Sequence, residues 1–221
     1  MGKIYTALGL MSGTSMDGVD ASIIDSDGDI EFSIKTDKYF EYGDELRQKL
    51  AKIREKVLVL EDLNSYSEEI KSLEREITIF HANAVNKIIE TSKVEIDFLG
   101  FHGQTIFHDP EKRISKQLGD GNMLSQLTKK NVVYDFRQND IKNDGQGAPL
   151  APIYHILLAK TFKKKGILKL PIIILNIGGI ANITYINSNY KMTSEDIGPG
   201  NCLIDKWIMA NSKKSFDNNG N

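Results

Sequence analysis

The sequence has almost no cysteine and no surplus of basic residues. One cysteine, Cys202, in 221 residues excludes a disulfide framework within the chain. The 28 lysines and arginines are balanced by 30 acidic residues, whereas a protein that holds nucleic acid by charge needs a clear basic excess. The four histidines are scattered and give no zinc-binding spacing. We therefore expect no nucleic-acid partner.

Long hydrophobic runs are also missing. No apolar run approaches the roughly 18 residues that a membrane-spanning helix needs, and the apolar stretch after Met1 is too short for a signal peptide. These absences predict no membrane partner and a cytoplasmic location. The hydrophobic share of 40% and the charged share of 26% are typical of globular proteins. The length allows one large domain or two small ones.

Strand and helix patterns alternate along the chain, which predicts the α/β class. Apolar residues at steps of three and four predict helices over 44–57 and 60–88, with a charged outer face that is most simply solvated. A basic segment, 161–169, is predicted to be an exposed connector between domains. The remaining predicted strands are 4–11, 19–24, 30–34, 96–101, 131–134, 172–175 and 180–186, and the shorter predicted helices are 123–130, 149–158 and one that begins near 201.

The first of three glycine-rich turns lies within residues 9–20, GLMSGTSMDGVD. Its small residues would let backbone N–H groups approach a phosphate, and Asp17 could hold Mg²⁺ through water. A strand follows instead of a helix, so the turn is neither a Walker loop nor a dinucleotide fingerprint. A bare hairpin turn remains the alternative.

The other two turns lie near the end of the sequence. Residues 176–182, NIGGIAN, again join two predicted strands, and two such turns in one chain favour a nucleotide cleft. In the third turn, 196–201 or DIGPGN, Asp196 is expected at the rim, just before a helix whose buried face carries Leu203, Ile204, Trp207 and Ile208. Asp196 could serve as a catalytic carboxylate or only as a helix cap.

Two polar clusters come directly after predicted strands, where α/β sheets commonly bind ligands. His102 and Gln104 belong to the segment HGQT, and Arg137 belongs to DFR. Arg137 could bind a carboxylate with two hydrogen bonds. A structural histidine and a surface aspartate–arginine pair are the alternatives.

Taken together, these segments resemble the anhydro-N-acetylmuramic acid kinase family. The resemblance rests on seven motifs in the family's order, which span nearly the whole chain. They are GLMSGTSMDGVD at 9–20, HGQT at 102–105, QLGD at 117–120, DFR at 135–137, GQGAPL at 145–150, NIGGIAN at 176–182 and DIGPGN at 196–201.

The resemblance implies an actin- and hexokinase-like fold of two ribonuclease-H-like lobes, each a mixed sheet with helices, around an ATP cleft. The expected domains are 1–165, the first lobe, and 166–221, the beginning of an incomplete second lobe. It also implies ATP and Mg²⁺ as cofactors, an anhydrosugar substrate and a homodimer. The implied reaction hydrolyses the 1,6-anhydro bridge of anhydro-N-acetylmuramic acid and phosphorylates O6 during cell-wall recycling.

The resemblance further implies roles for individual residues. Asp196 matches the family's catalytic base, and His102, Gln104 and Arg137 fall in motifs that would face the sugar. No metal ligand is assigned. The residues implied to bind the phosphates of ATP are Gly13, Thr14, Ser15, Met16, Asp17, Gly18, Val19, Asp20, Gly178 and Gly179.

Two departures from the family pattern leave three interpretations open. Ile197 stands where the family usually has threonine, and family members continue well beyond Asp217, so the chain is expected to be truncated. In the first interpretation the chain is an anhydrosugar kinase whose chemistry needs the missing half. In the second it is an inactive remnant or a sugar-binding module of that family. Membership of another actin-like ATPase family is the third interpretation.

Overall fold

The computed structural model describes residues 2–212, 214, 217 and 220. The chain divides into two compact units, Met1–Ala148 and Pro149–Asn221. The sequence placed this boundary between residues 165 and 166. The difference arises because helix α6 (Ala151–Lys164) packs on a strand of the second unit, so that it groups with the residues after it.

The first unit is built on a six-stranded mixed sheet in the order β3-β2-β1-β4-β5, with β6 paired to β4. Strands β1, β4 and β6 are parallel, whereas β2 is antiparallel to β1 and β3. This is the strand arrangement of a ribonuclease-H-like lobe, as the resemblance implies. The strands are β1 (Tyr5–Ser12), β2 (Gly18–Ser26), β3 (Phe32–Glu41), β4 (Phe98–Asp109), β5 (Ile114–Leu118) and β6 (Asn131–Tyr134).

Helices cover this sheet and close its core. The long helix α3 buries an apolar stripe that includes Ile70, Leu73, Ile77, Val85 and Ile88, at the spacing predicted from the sequence. The main hydrophobic core of buried residues lies wholly within the first unit. Its helices are α1 (Asp44–Lys56), α2 (Leu60–Ser65), α3 (Ser67–Ser92), α4 (Gly121–Thr128) and α5 (Phe136–Lys142).

The second unit contains a three-stranded antiparallel sheet in the order β7-β8-β9. Helix α6 packs on this sheet, where the His155 Nδ1 and Thr184 Oγ1 atoms are 2.8 Å apart. The strands and last helix are β7 (Ile172–Ile177), β8 (Ile180–Ile186), β9 (Met192–Pro199) and α7 (Cys202–Asn211).

Several sequence predictions of local structure were wrong. The predicted connector 161–169 begins with the last turn of α6, which continues to Lys164. Helix 60–88 is interrupted at Tyr66. Helix α7 begins where expected, but its predicted buried face is exposed: Leu203, Ile204 and Trp207 have exposed fractions of 57%, 55% and 66%. Strands β5 and β9 and helix α5 were not predicted.

The described part of the chain includes no helix with both the length and the apolar character required to cross a membrane.

Candidate functional site

The carboxyl ends of the parallel strands gather most of the predicted site residues of the first unit. Ser12 at the end of β1 lies opposite Gln104 of β4, and Phe101 of β4 lies opposite Tyr134 at the end of β6. Ligands of α/β sheets commonly bind at this edge, because loops with free backbone groups follow the strands there. The turn after β1, the segment from His102 and the segment that contains Arg137 are therefore brought to one edge.

Residues 13–17 form the turn between β1 and β2, which confirms the predicted strand–turn–strand pattern. The Met16 N–H donates to the Gly13 carbonyl at 3.3 Å, and Met16 adopts a positive φ of 56°. Thr14 and Ser15 are exposed. Among the residues that the structure describes, no acceptor takes the backbone N–H of either one. These two donors are therefore available to an anion.

The other residues of this segment that the resemblance assigns to phosphate binding lie in the core or in strand β2. The side chains of Met16 and Val19 are buried in the core. Gly18 lies in β2, where a Cβ would overlap the Phe40 carbonyl oxygen, so glycine is needed for the close approach of β3. Asp20 is an exposed strand residue. Burial and the charges of Asp17 and Asp37 raise its pKa.

Gln104 lies beneath the turn. Its side chain is completely buried, and its Nε2 donates to the Gly13 carbonyl at 2.9 Å. Its Oε1 is buried and has no hydrogen-bond partner among the described residues. The resemblance implies that Gln104 faces a sugar, and this stays a prediction; in the structure its amide nitrogen supports the turn.

A buried chain of hydrogen bonds that the sequence analysis missed lies beside Gln104. Tyr42 Oη is 2.6 Å from Ser12 Oγ, which is 3.3 Å from His81 Nε2, and His81 Nδ1 contacts the Ile77 carbonyl at 2.8 Å. The only sequence signal was a histidine on the apolar face of a predicted helix. Such a residue is ordinarily structural, so the signal alone did not identify a network.

His102 and Arg137 form a second polar pair at the same edge. His102 Nδ1 lies 2.7 Å from the Gly103 carbonyl, which can only accept, so Nδ1 carries the proton. His102 Nε2 therefore accepts from Arg137 Nε at 2.9 Å. Burial and the Arg137 charge lower the pKa of His102 to about 4, which keeps the ring neutral near pH 7.

Arg137 is a half-buried cation, and burial lowers its pKa. Its Nη1 makes only a long contact of 3.4 Å with the Gly147 carbonyl. Within residues 2–212 and the three described tail residues, no carboxylate forms an ion pair with it. The guanidinium is therefore held by His102 and has no ion-pair partner in the described part of the chain.

A cavity of about 220 Å³ opens beside His102. Its wall combines two aromatic rings with charged, amide and imidazole groups, which suits a small polar ligand. Gly119 contributes to the wall at a φ of 143°, and a Cβ there would overlap the Phe101 ring. The lining residues are Phe101, His102, Ser115, Lys116, Gln117, Gly119, Tyr134 and Asp135.

The second unit contains the remaining predicted residues. Asp196 lies within β9, opposite Asn182 of β8, and not at the rim of a turn as the sequence suggested. Its carboxylate is exposed, and no hydrogen bond or ion pair engages it within the described part of the chain. Asp196 is also not the N-cap of α7, which is Asn201.

The glycine turn between β7 and β8 supports the start of α7. The Gly178 carbonyl accepts from the Asn201 N–H at 2.8 Å, and the Gly179 carbonyl accepts from the Gly200 N–H at 3.0 Å. A Cβ at Gly200 would overlap the Gly178 carbonyl oxygen. This packing brings the motifs NIGGIAN and DIGPGN together.

Comparisons with known proteins agree with the motifs. The family model described as anhydro-N-acetylmuramic acid kinase matches residues 5–221. An anhydro-N-acetylmuramic acid kinase of Pelagibacter ubique is 54% identical over 100% of this chain and 58% of its own length. One from Agrobacterium fabrum is 40% identical over 100% of this chain and 59% of its own. The chain thus spans about three fifths of the length of the curated relatives it matches.

Similarity to solved structures is weaker. A crystal structure of the Aquifex aeolicus Ppx/GppA family member aligns with a TM-score of 0.41 and 12% sequence identity, covering 92% of this chain and 54% of that one.

Proposed function

The chain belongs to the anhydro-N-acetylmuramic acid kinase family, and on this premise we propose that it takes part in the ATP-dependent phosphorylation of anhydro-N-acetylmuramic acid. In the proposed reaction, water adds to the anomeric carbon, the bond to the bridging oxygen breaks, and the released O6 is phosphorylated. The products are N-acetylmuramic acid 6-phosphate and ADP. One observation carries the proposal: two backbone donors without an acceptor and one arginine without an ion-pair partner, among the described residues, lie at the same sheet edge.

The phosphates of ATP are proposed to bind at Gly13–Asp20 and at Gly178 and Gly179. The free N–H groups of Thr14 and Ser15 fit this role, since exposed donors at a tight turn bind phosphate oxygens. ATP would supply the phosphoryl group, and Mg²⁺ would neutralise the negative charge of the phosphates.

Asp17 is the proposed contact for Mg²⁺ through water. Its carboxylate accepts from the Ser15 hydroxyl at 2.6 Å, and the described residues contain no group of three or more His, Cys, Asp or Glu side chains that could hold a metal. Mg²⁺ usually keeps several waters and needs only one or two carboxylates, so this arrangement fits it.

The sugar is proposed to bind beside His102 and Arg137. The substrate carries a lactyl carboxylate, and an arginine fork binds a carboxylate with two charge-assisted hydrogen bonds. Because His102 accepts from Arg137 Nε, the guanidinium is oriented before any ligand arrives. Gln104 is proposed to act indirectly, through the Gly13 carbonyl.

Asp196 is the proposed general base. Its exposed carboxylate has no protein partner in the described part of the chain, so an oxygen is available to take a proton from water. Removal of that proton strengthens the attack of water on the anomeric carbon while the strained bridge opens.

A sugar-binding module without catalysis is the second candidate. The observation that favours it is that Arg137, His102 and the adjoining cavity all belong to the first unit, so the proposed sugar site would use residues of that unit without Asp196. A cytoplasmic homodimer is proposed on family membership alone.

Turnover by the purified chain separates the two candidates. The chain is incubated with ATP, Mg²⁺ and anhydro-N-acetylmuramic acid, and sugar phosphate and ADP are measured. We expect one sugar phosphate per ADP, and a loss of about 100-fold or more in Asp196→Asn, as for other general bases. Glu195→Gln, the neighbouring exposed carboxylate of β9, is the matched control and is expected to keep its activity.

Each outcome has a distinct meaning. Wild-type turnover that survives in Asp196→Asn contradicts the role of Asp196 as the base. Absence of turnover with calorimetric sugar binding supports the sugar-binding module, and absence of both contradicts both candidates.

A further inference from the structure

Tyr42 contacts both ends of the turn between β1 and β2. Its hydroxyl lies 2.6 Å from Ser12 Oγ, just before the turn, and its backbone N–H donates to the Asp17 carbonyl at 2.8 Å, at the other end. The residue is 2% exposed, and its ring packs edge-on against Phe80 with centroids 4.7 Å apart. One buried side chain and its own backbone therefore close the turn.

The direction of each hydrogen bond in this network follows from one carbonyl. The Ile77 oxygen can only accept, so His81 carries its proton on Nδ1 and its Nε2 accepts from Ser12. Since the single Ser12 hydroxyl hydrogen is used there, Ser12 Oγ accepts from the Tyr42 hydroxyl. Burial lowers the pKa of His81 to about 4, in agreement with a neutral ring.

The Gly13 carbonyl is fixed from the same side. It accepts from Gln104 Nε2 at 2.9 Å and from the Met16 N–H at 3.3 Å. The N–H groups of Thr14 and Ser15 take no part in this network and have no other acceptor in the described part of the chain. The turn thus uses its acceptors for support and leaves two donors unused.

We propose that Tyr42 is a positioning residue that holds the turn in an anion-binding shape before a ligand arrives. The ligand class is a phosphate chain of a nucleotide, and this identification rests on the proposed function. Tyr42 does not touch the ligand in this proposal; it acts through Ser12 and Asp17. Fixing both ends of the turn reduces the ordering that binding would otherwise require, which raises affinity.

Tyr42→Phe tests the proposal, because it removes the hydroxyl and keeps the ring that packs on Phe80. Exchange of the Met16 and Tyr42 amide hydrogens is measured by NMR on the full chain, and the dissociation constant for ATP with Mg²⁺ by calorimetry. We expect faster exchange of both amides and a dissociation constant about three- to tenfold higher, as for the loss of one buried hydrogen bond.

Tyr66→Phe is the matched control. Tyr66 lies at the start of α3, where its ring centroid is 5.2 Å from Lys56 Nζ, so the same atom is removed from another part of the same unit. We expect this variant to leave both measurements unchanged.

Ser12→Ala removes the other partner of the Tyr42–Ser12 hydrogen bond. If the Tyr42 hydroxyl acts through Ser12, the double variant is expected to weaken ATP binding much less than the product of the two single effects. Independent, multiplying effects would overturn the proposed route.

The outcomes distinguish this proposal from the proposed function. Unchanged amide exchange in Tyr42→Phe overturns the role of Tyr42 in holding the turn. Faster exchange with unchanged ATP affinity overturns its role in binding. If the amides exchange faster in Tyr42→Phe but the wild type does not bind ATP, the result supports the role of Tyr42 in fixing the turn. It contradicts the proposed ATP-dependent function.

Discussion

Single residues at the candidate site are oriented by backbone carbonyls. His81 and His102 each donate from Nδ1 to a carbonyl, so each must accept at Nε2. His81 Nε2 then orients the Ser12 hydroxyl, and His102 Nε2 orients the Arg137 guanidinium. Both rings must stay neutral for this arrangement, which makes the protonation state of two histidines part of the site.

Arg137→Ala is expected to discriminate between sugars. If the guanidinium binds the lactyl carboxylate, the variant loses about 10- to 100-fold in affinity for anhydro-N-acetylmuramic acid, as for a charge-assisted pair. Binding of the corresponding anhydrosugar without a lactyl group should change little. Calorimetry with both sugars measures the difference, and an equal loss for both would contradict carboxylate recognition.

Acid is expected to destabilise the fold through its histidines. All four histidines have a lowered pKa, and burial lowers the pKa of His81 and His102 to about 4. Below pH 6.5 the unfolded chain therefore binds protons that the folded chain does not. The stabilisation is complete above pH 6.5 and is lost as the pH falls towards 4, at roughly 1.4 kcal/mol per pH unit for each fully buried histidine.

Urea unfolding at pH 7 and pH 5 measures this effect. We expect a lower midpoint at pH 5 and a smaller difference between the two pH values in His102→Asn. Equal midpoints for the wild type would show that the histidines do not titrate differently on folding.

At the scale of elements, the hairpin of β4 and β5 carries part of the candidate site. The sequence predicted a strand that ended at Phe101, and the polar segment HGQT after it. In the structure β4 continues to Asp109, because its second half pairs with β5. His102 and Gln104 therefore lie within a strand, on a backbone held by long-range hydrogen bonds.

Gly103→Ala is expected to destabilise this hairpin. Gly103 has a φ of 73°, and a Cβ there would overlap the Leu118 carbonyl oxygen of β5. Left-handed strain and the overlap together predict a loss of about 2 kcal/mol or more in the free energy of unfolding.

Gly28→Ala is the matched control, since Gly28 has a φ of 76° but a Cβ there would meet no atom of the described residues within 4 Å. Strain alone should cost about 1 kcal/mol at this position. Urea titration compares the two variants, and equal losses would mean that the approach of β5 does not require glycine.

At the scale of the whole molecule, the two units differ in how much apolar surface they bury. The main core belongs to the first unit, whereas Leu157, Ala159, Ala181 and Ile186 are the buried hydrophobic residues described in the second. Several large side chains of the second unit are exposed, among them Ile173, Ile177, Leu203, Ile204 and Trp207. Exposed apolar side chains in this number favour association with another chain or with a second copy.

Native-state hydrogen exchange is expected to show a lower opening free energy for the sheet of the second unit than for that of the first. Amides of β1 and β4 should open only with global unfolding of the first unit, because they are surrounded by its core. Amides of β7 and β9 should exchange at lower opening free energies, since few buried apolar side chains hold their sheet. Exchange of all these strands at one common free energy would contradict the prediction.

The sequence by itself determined the α/β class, most element positions and the family, because apolar periodicity and short motifs are local properties of the chain. It also predicted strand–turn–strand geometry at residues 9–20 and 176–182. The tertiary structure alone decided that Gln104 supports the Gly13 carbonyl, that Tyr42 closes the turn, and that Asp196 lies in a strand. Those features depend on pairing between residues far apart in sequence, which no local pattern encodes: Tyr42 and Ser12 are 30 residues apart, and Gln104 and Gly13 are 91 residues apart.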